Sequence, residues 1–469
     1  MPEKNDKQLF AKHLLTESGW AKDVLIKLDC NGVILELKPD TQLDSDFCGE
    51  QLHGSVIPGL PNSHSHAFQW AMAGLGEKSG KGGDSFWTWR QAMYGFVDAI
   101  RPEDLQAIAS ALYMQMLKAG YTSVGEFHYL HHNTNGAAFD NPAEMSQRIF
   151  ESAKESGIGL TLLPVFYRYS GFGELAPNDG QKRFIHDQQA YATLIDNVAK
   201  LSEQYQQSFG IAPHSLRAVN QQDLSFAIDH LNTLNDKAPV HIHIAEQMKE
   251  VDDCLVFHSK RPVEWLLDNL DVNERWCLVH ATHMTQQETH RVAQSNAVVA
   301  VCTTTEANLG DGFFPMLEYK KNQGRWSVGS DSHISVDAAE ELRWLEYQQR
   351  LAEQSRTVMV EEEHSSNGYW LWQQAAGAGA QSLGRNAGCI KVGNKADFIE
   401  LNPESFALLG KSDHQLIDAF IFNHQFSNDA IRSVWVNGEC QVSDGVHRNE
   451  EKIRHQYQKT IHRLSQCIA

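Results

Sequence analysis

Eight short apolar, β-rich runs alternate with longer helical patterns between about residue 56 and residue 384. That alternation restricts the fold more than any other feature of the chain. The runs are "GSVIPGLPNSH", "AGYTSVGEFHY", "IGLTLLPVFY", "FGIAPHSL", "APVHIHIAE", "RWCLVHATH", "NAVVAVCTT" and "RWSVGSDSH". Helical segments include Pro102–Lys118 and Ala338–Glu353; in the second, Leu342, Leu345 and Leu351 recur near helical spacing. Parallel strands need a helix-length crossover, so strands that alternate with helices predict a parallel sheet. Eight such units are the count of a (β/α)8 TIM-type barrel.

The two ends read differently. Residues 23–57 and 385–445 are strand-like, with turn signals at Asn31-Gly32, Cys48-Gly49, Asn394 and Asn437-Gly438. The expected organisation is a barrel over residues 58–384 beside a small β-sandwich domain formed from both chain ends, 1–57 and 385–469. The polar, acidic stretch 353–366 reads as a solvated helix end or loop.

The first barrel run ends in "PNSHSHAFQW", with His64 and His66 two apart. Residues i and i+2 of a strand project to one face, so two imidazoles there can grip one metal ion. Alone, the pair is weak evidence in a chain with 23 histidines. His243 in "VHIHIAE", with Glu246 three residues on, His280 in "CLVH" and Asp331 in "VGSD" lie at the ends of other runs. The C-terminal strand ends of a barrel are where its active sites form. Three histidines and an aspartate make a ligand set for Zn²⁺ or Fe²⁺. A metal in such a site lowers the pKa of a coordinated water towards neutrality. A free carboxylate, Glu246, can carry its proton to a leaving group, and His280 can hold the water or a developing charge. Each residue also has an ordinary structural reading. His241 shares a face with His243, Glu246 suits a helix first turn, Asp331 suits a helix N-cap, and His280 suits a satisfied core position. The conjunction on four strands favours a metal hydrolase. The fourth run has no lysine to bridge two ions, so one ion is expected.

Composition restricts the partners. Net charge is −19, which argues against non-specific nucleic-acid or anionic-membrane binding. Eight cysteines without a CxxC pair read as thiols of a reducing compartment. No secretory signal and no membrane span is visible. The expectation is a cytoplasmic enzyme acting on a small molecule, with no nucleic acid and no membrane partner.

The pattern HxH, HxxE, H and D on strands one, five, six and eight resembles the mononuclear deaminase branch of the amidohydrolase superfamily. "PGLPNSHSHAFQWAMAG", "DSFWTWRQAMY", "GEFHYLHH", "APHSLRAV", "HIHIAEQ", "TTEANLGDGFFP" and "GSDSH" resemble more closely the deiminases that act on formimino amino acids. The resemblance runs from about residue 20 to 440. It implies a distorted (β/α)8 barrel with a β-sandwich from both ends, one divalent metal ion (zinc, with iron as the alternative), and a homodimer. It implies hydrolysis of N-formimino-L-glutamate to N-formyl-L-glutamate and ammonia, in histidine degradation. His64, His66, His243 and Asp331 match the metal ligands. Glu246, His280 and Asp331 match the catalytic groups, and Gln69, Arg90, Tyr129, His214 and Arg217 match the residues that hold a dicarboxylate substrate. Guanidinium groups suit such a substrate because they bind carboxylates through paired N–H donors. Two positions depart from the pattern: Trp70 stands in place of arginine, and Thr303 in place of proline. Deamination of a heterocycle such as guanine or cytosine, action on another formimino amino acid, and a catalytically silent barrel are the alternatives.

Overall fold

The computed structural model describes residues 7–74, 77, 93–360, 366–423 and 427–468. The eight runs form the barrel strands: β5 (Leu60–Ser65), β6 (Tyr121–His128), β7 (Gly159–Phe166), the split fourth strand β8 (Ser208–Phe209) and β9 (Ala212–Pro213), β10 (Val240–Ile244), β11 (Trp276–His280), β12 (Val298–Val301) and β13 (Arg325–Val328). All pair in parallel, in two arcs from β5 to β8 and from β10 to β13. Single bridges join the arcs: Ile211 to Val240, and Ser65 to Asp331. Every residue of β6 and β7 is buried, as expected for strands covered on both faces. The fourth strand is reduced to two dipeptides around Gly210, where the missing side chain and the following Pro213 weaken a ladder.

The helices at Pro102–Lys118 and Ala338–Glu353 form over the spans that periodicity indicates. Proline occupies the first turn of the earlier one, where its missing N–H costs nothing. Two further helices matter for the site: Thr303–Leu309 after β12, and Asn367–Ser382, which packs on β5, β12 and β13.

The chain ends share one eight-stranded sheet. Its N-terminal strands are β1 (Lys7–Thr16), β2 (Gly19–Leu28), β3 (Ile34–Lys38) and β4 (Glu50–Pro58). Its C-terminal strands are β14 (Phe398–Leu401), β15 (Ile431–Val436), β16 (Glu439–Ser443) and β17 (Val446–His447). The antiparallel pair β4–β14 joins the two halves. The sheet buries its own apolar cluster, which includes Leu9, Ile26, Val56, Phe398 and Trp435. Among the described residues strand structure is already present at Lys7, upstream of the stretch with a clear strand pattern, because exposed Gln8 and Lys12 interrupt the apolar signal of β1.

The strand pattern gives no sign of the last helix, Glu450–Ile468. It lies on Pro102–Lys118 and buries Ile453 and Leu464. Lys118 Nζ meets Glu450 Oε2 at 2.8 Å, and Arg463 donates to Asp104. Among the described residues no helix is long and apolar enough to cross a membrane.

Candidate active site

The strand-end residues converge at the C-terminal mouth of the barrel. His64 lies in β5 with His66 just beyond it, His243 lies in β10, His280 ends β11, and Asp331 follows β13. Five non-glycine residues at these ends adopt the left-handed region: Ala245, His280, Ala281, Asp331 and His333. Such conformations cost energy and concentrate where the surrounding structure imposes side-chain direction.

His64 Nε2 lies 3.1 Å from His66 Nε2 and 3.1 Å from His243 Nε2. Asp331 Oδ1 is 3.3 Å from His66 Nε2 and 3.5 Å from His64 Nε2. Four ligands at about 2.1 Å from a tetrahedral ion stand about 3.4 Å apart, so this spacing fits one ion. The donors are also in the right state. His66 Nδ1 donates to the Phe127 carbonyl at 2.8 Å and His243 Nδ1 to the His214 carbonyl at 3.2 Å, which leaves each Nε2 a lone pair. Burial, then the neighbouring His66, holds His64 down to about 3. Burial lowers His66 and His243 as well. Burial pushes Asp331 up, but its hydrogen bond to His64 and the nearby imidazoles outweigh this and keep its carboxyl below the usual range. His280, Cys302 and Asp331 form a second close group beside that of His64, His66 and His243, and the Asp331 contacts to His64 and His66 link the two.

His241 turns away from this cluster and bonds the Ser382 carbonyl through Nε2 at 2.7 Å. His131 and His132 bond the Val165 and Ile185 carbonyls, and burial keeps them and His128 largely neutral. None of these four belongs to a metal-compatible group among the described residues.

His280 faces Glu246 and Asp331, with Nε2 at 3.8 and 3.6 Å from their carboxylates. Its Nδ1 lies 3.2 Å from Glu306 Oε1. Burial opposes charge on His280, but Glu246, Glu306 and Asp331 together push it up to about 10. Glu306, from "TTEANLGDG", is fully buried and also accepts from the Cys302 N–H at 2.9 Å. Reading strand ends for ligands passes over Glu306, which follows the seventh run. Its signal is a carboxylate in the first turn of the short helix that follows apolar β12, where an unpaired buried charge is costly.

One cavity includes His66, His243, Glu246, His280 and Asp331 together with Gln69, Tyr129, His214 and Arg217. Met93, Tyr94, Tyr167, Phe184 and Leu309 line the rest of it with Ser332. Gln69 Nε2 donates to the Tyr129 hydroxyl at 2.6 Å. Arg217 is buried, and its Nε and Nη1 have no hydrogen-bond partner among the described residues. A buried guanidinium with free donors in a cavity is a site for an anion. Arg90 lies outside the described residues.

Both departures have local partners. Trp70 stacks on Tyr457 of the last helix, with ring centroids 4.9 Å apart and planes 22° apart. Thr303 donates to Glu341 Oε2 at 2.6 Å, a bond a proline side chain lacks. Neither contact involves the residues expected to hold the metal or carry the chemistry.

Comparison with known proteins gives the same picture. The pattern of the amidohydrolase family matches residues 55–440, and that of the "Formimidoylglutamate deiminase HutF, N-terminal domain" matches residues 7–53. A formimidoylglutamate deiminase of Pseudomonas aeruginosa is 45% identical over 95% of this chain and 96% of its own. A 5-methylthioadenosine/S-adenosylhomocysteine deaminase of Pyrococcus furiosus is 24% identical over 94% of this chain and 95% of its own. The crystal structure of an amidohydrolase from Brucella melitensis superposes with a TM-score of 0.91 at 43% identity, covering 98% of this chain and 100% of that one. An adenosine deaminase from Xanthomonas campestris with bound zinc shares the fold, with a TM-score of 0.78 at 20% identity over 98% of this chain and 99% of that one. With a family match across most of its length and a relative this similar, the chain belongs to the amidohydrolase family.

Proposed function

We propose that this protein is a metal-dependent deiminase that hydrolyses N-formimino-L-glutamate to N-formyl-L-glutamate and ammonia. The observation that carries the reading is the buried Arg217 guanidinium, two of whose donors have no partner among the described residues, in the same cavity as His66, His243 and Asp331. A dicarboxylate needs such a cation, whereas a flat uncharged heterocycle does not. The 45% identical relative that bears the deiminase name supports the same substrate.

His64, His66, His243 and Asp331 are assigned as holders of one divalent ion, zinc before iron. When bound, the ion supplies Lewis acidity and a more acidic water. Arg217, with Arg90, Gln69, Tyr129 and His214, is assigned to the two carboxylates, which fixes the formimino carbon against the strand ends. Such positioning can remove a large part of a barrier. The formimino group is a cationic amidine, and Glu246 and Asp331 are its anionic neighbours. Glu246 takes a proton from the attacking water as the new C–O bond forms. His280 holds the developing oxygen charge through Nε2. Glu246 then returns the proton to the terminal nitrogen, the C–N bond breaks and ammonia leaves, and the remaining hydroxyl proton passes to Glu246 as the formyl C=O forms. Residues 58–384 would form the catalytic barrel, with 1–57 and 385–469 as the accessory β domain. The expected setting is a cytoplasmic homodimer.

The test is ammonia release by zinc-loaded protein from N-formimino-L-glutamate, N-formimino-L-aspartate, guanine, cytosine and 5-methylthioadenosine. The reading requires the glutamate derivative to be the best substrate by kcat/KM. Preference for a nucleobase or nucleoside would overturn it.

A further inference from the structure

The barrel closes between its first and eighth strands, at the place where His64 and His66 meet Asp331. Backbone pairing there is minimal: the Asp331 N–H donates to the His64 carbonyl at 3.0 Å and the His66 N–H to the Asp331 carbonyl at 3.1 Å. Side chains supply the rest. Asn62 Nδ2 donates to Ser330 Oγ at 2.6 Å, and Asn62 Oδ1 accepts from the Ser330 N–H at 3.1 Å. Ser330 Oγ lies 3.0 Å from His333 Nδ1, and His333 Nε2 lies 3.2 Å from Ser65 Oγ. Ser65 Oγ donates to Glu126 Oε2 at 2.6 Å. The Tyr113 hydroxyl donates to the same oxygen at 3.0 Å, and the Ala67 N–H donates to Oε1 at 2.7 Å.

Donors and acceptors match along the whole chain in one direction. The Asn62 amide donates to Ser330, whose hydroxyl donates to His333 Nδ1. The His333 Nε2–H donates to Ser65, whose hydroxyl donates to Glu126. These five side chains and that of Tyr113 are buried, so a missing acceptor has no bulk water to replace it. Glu126 receives donors from Ser65 and Ala67, the two residues that flank His66. Gly329 adds a steric requirement on the opposite strand. A Cβ there would lie 2.7 Å from His64 Cβ, so the eighth strand approaches the first ligand closely only because that position is bare.

We infer that Glu126 is a positioning residue for the metal site: it holds the Ser65 hydroxyl on one side of His66 and the Ala67 backbone N–H on the other and, through Ser65 and His333, fixes His66 against Asp331 before any ion arrives. This inference rests on the ligand assignment above. Groups that orient metal ligands commonly contribute about 10–100-fold to metal affinity. Glu126→Gln keeps the size of the side chain but presents an amide N–H₂ to donors that require an acceptor.

The experiment is zinc affinity by competition with a chromophoric chelator, using chelator-treated full-length protein and zinc alone, with the absorption spectrum of the cobalt-substituted protein as a second readout. Wild type binds zinc and gives a four-coordinate cobalt spectrum. Glu126→Gln is expected to bind zinc about 10–100-fold more weakly, with altered cobalt bands and a cooperative thermal transition. If Glu126→Gln does not fold, Ser65→Ala removes the same link and is expected to weaken zinc about tenfold. A folded Glu126→Gln, or failing that Ser65→Ala, with wild-type affinity and cobalt bands overturns the clamp. Failure of wild type itself to bind zinc overturns the ligand assignment instead.

Discussion

Replacing Arg217 by methionine separates function from stability. The Arg217 side chain is buried beside the strand-end cluster, and two of its donors have no partner among the described residues. In the free enzyme those donors cost desolvation without a compensating bond. Methionine fills a similar volume without a charge. The variant should therefore keep its melting temperature or gain slightly, by up to about 1 kcal/mol in stability. Burial already pushes Glu250 up to about 7 against the opposing influence of Arg217, and losing the cation moves it further upward. Substrate binding changes in the opposite sense. Two charge-assisted hydrogen bonds to a substrate carboxylate are worth at least about 3 kcal/mol together, or about 150-fold in kcat/KM. Arg217→Met should thus show kcat/KM for N-formimino-L-glutamate reduced at least about 100-fold, with zinc content unchanged and no thermal penalty. The assays are steady-state ammonia release and thermal denaturation on the same preparations. If kcat/KM stays within a factor of about three, or the variant melts far below wild type, Arg217 is a structural cation and the clamp is wrong.

Three other outcomes are expected. Glu246→Gln should retain zinc and fold while kcat falls by about 10²–10⁴; activity near wild type removes Glu246 from the proton transfer. Gly329→Ala should weaken zinc binding and lower stability by about 1–3 kcal/mol, because its Cβ would meet His64 at 2.7 Å; unchanged melting and affinity would show that the seam has slack. The protein should also be acid-labile. Burial holds His128 and His186 down to about 3 and His241 down to about 4. Unfolded histidines take up protons near pH 6.5 and these do not, so stability present above that pH is lost as pH falls from about 6.5 towards 4. At pH 5 each contributes a loss of about 2 kcal/mol, which denaturant titrations at pH 7 and pH 5 would register as a marked fall in the midpoint.

The features legible in the sequence are those with local periodicity or terminal position. Each of the eight runs supplies barrel strand residues, and the Pro102–Lys118 helix spans the stretch its pattern marks. His64, His66, His243 and Asp331 stand at strand ends, so a barrel brings them together although they are far apart in the chain. The polar seam is different. Ser65, Glu126, Ser330 and His333 are single polar residues inside or just past apolar runs, and their partners are set by strand register and barrel closure. Glu126 does leave one trace, a carboxylate within the apolar "TSVGEFHYL", where a buried charge requires donors. The last helix leaves no sign in the sequence pattern for another reason. Its buried face rests on the barrel helix Pro102–Lys118, and that surface exists only after the barrel has formed. Trp70, odd against the family pattern, is explained by the Tyr457 ring on the same helix.

The most direct measurement is a zinc titration of chelator-treated wild-type protein, scored at each step by ammonia released from N-formimino-L-glutamate. One ion held by three imidazoles and Asp331, facing a carboxylate clamp, predicts activity that rises linearly and saturates at one equivalent, with N-formyl-L-glutamate as product. Full activity without metal, a break at two equivalents, or one bound zinc with no turnover of this substrate would contradict it.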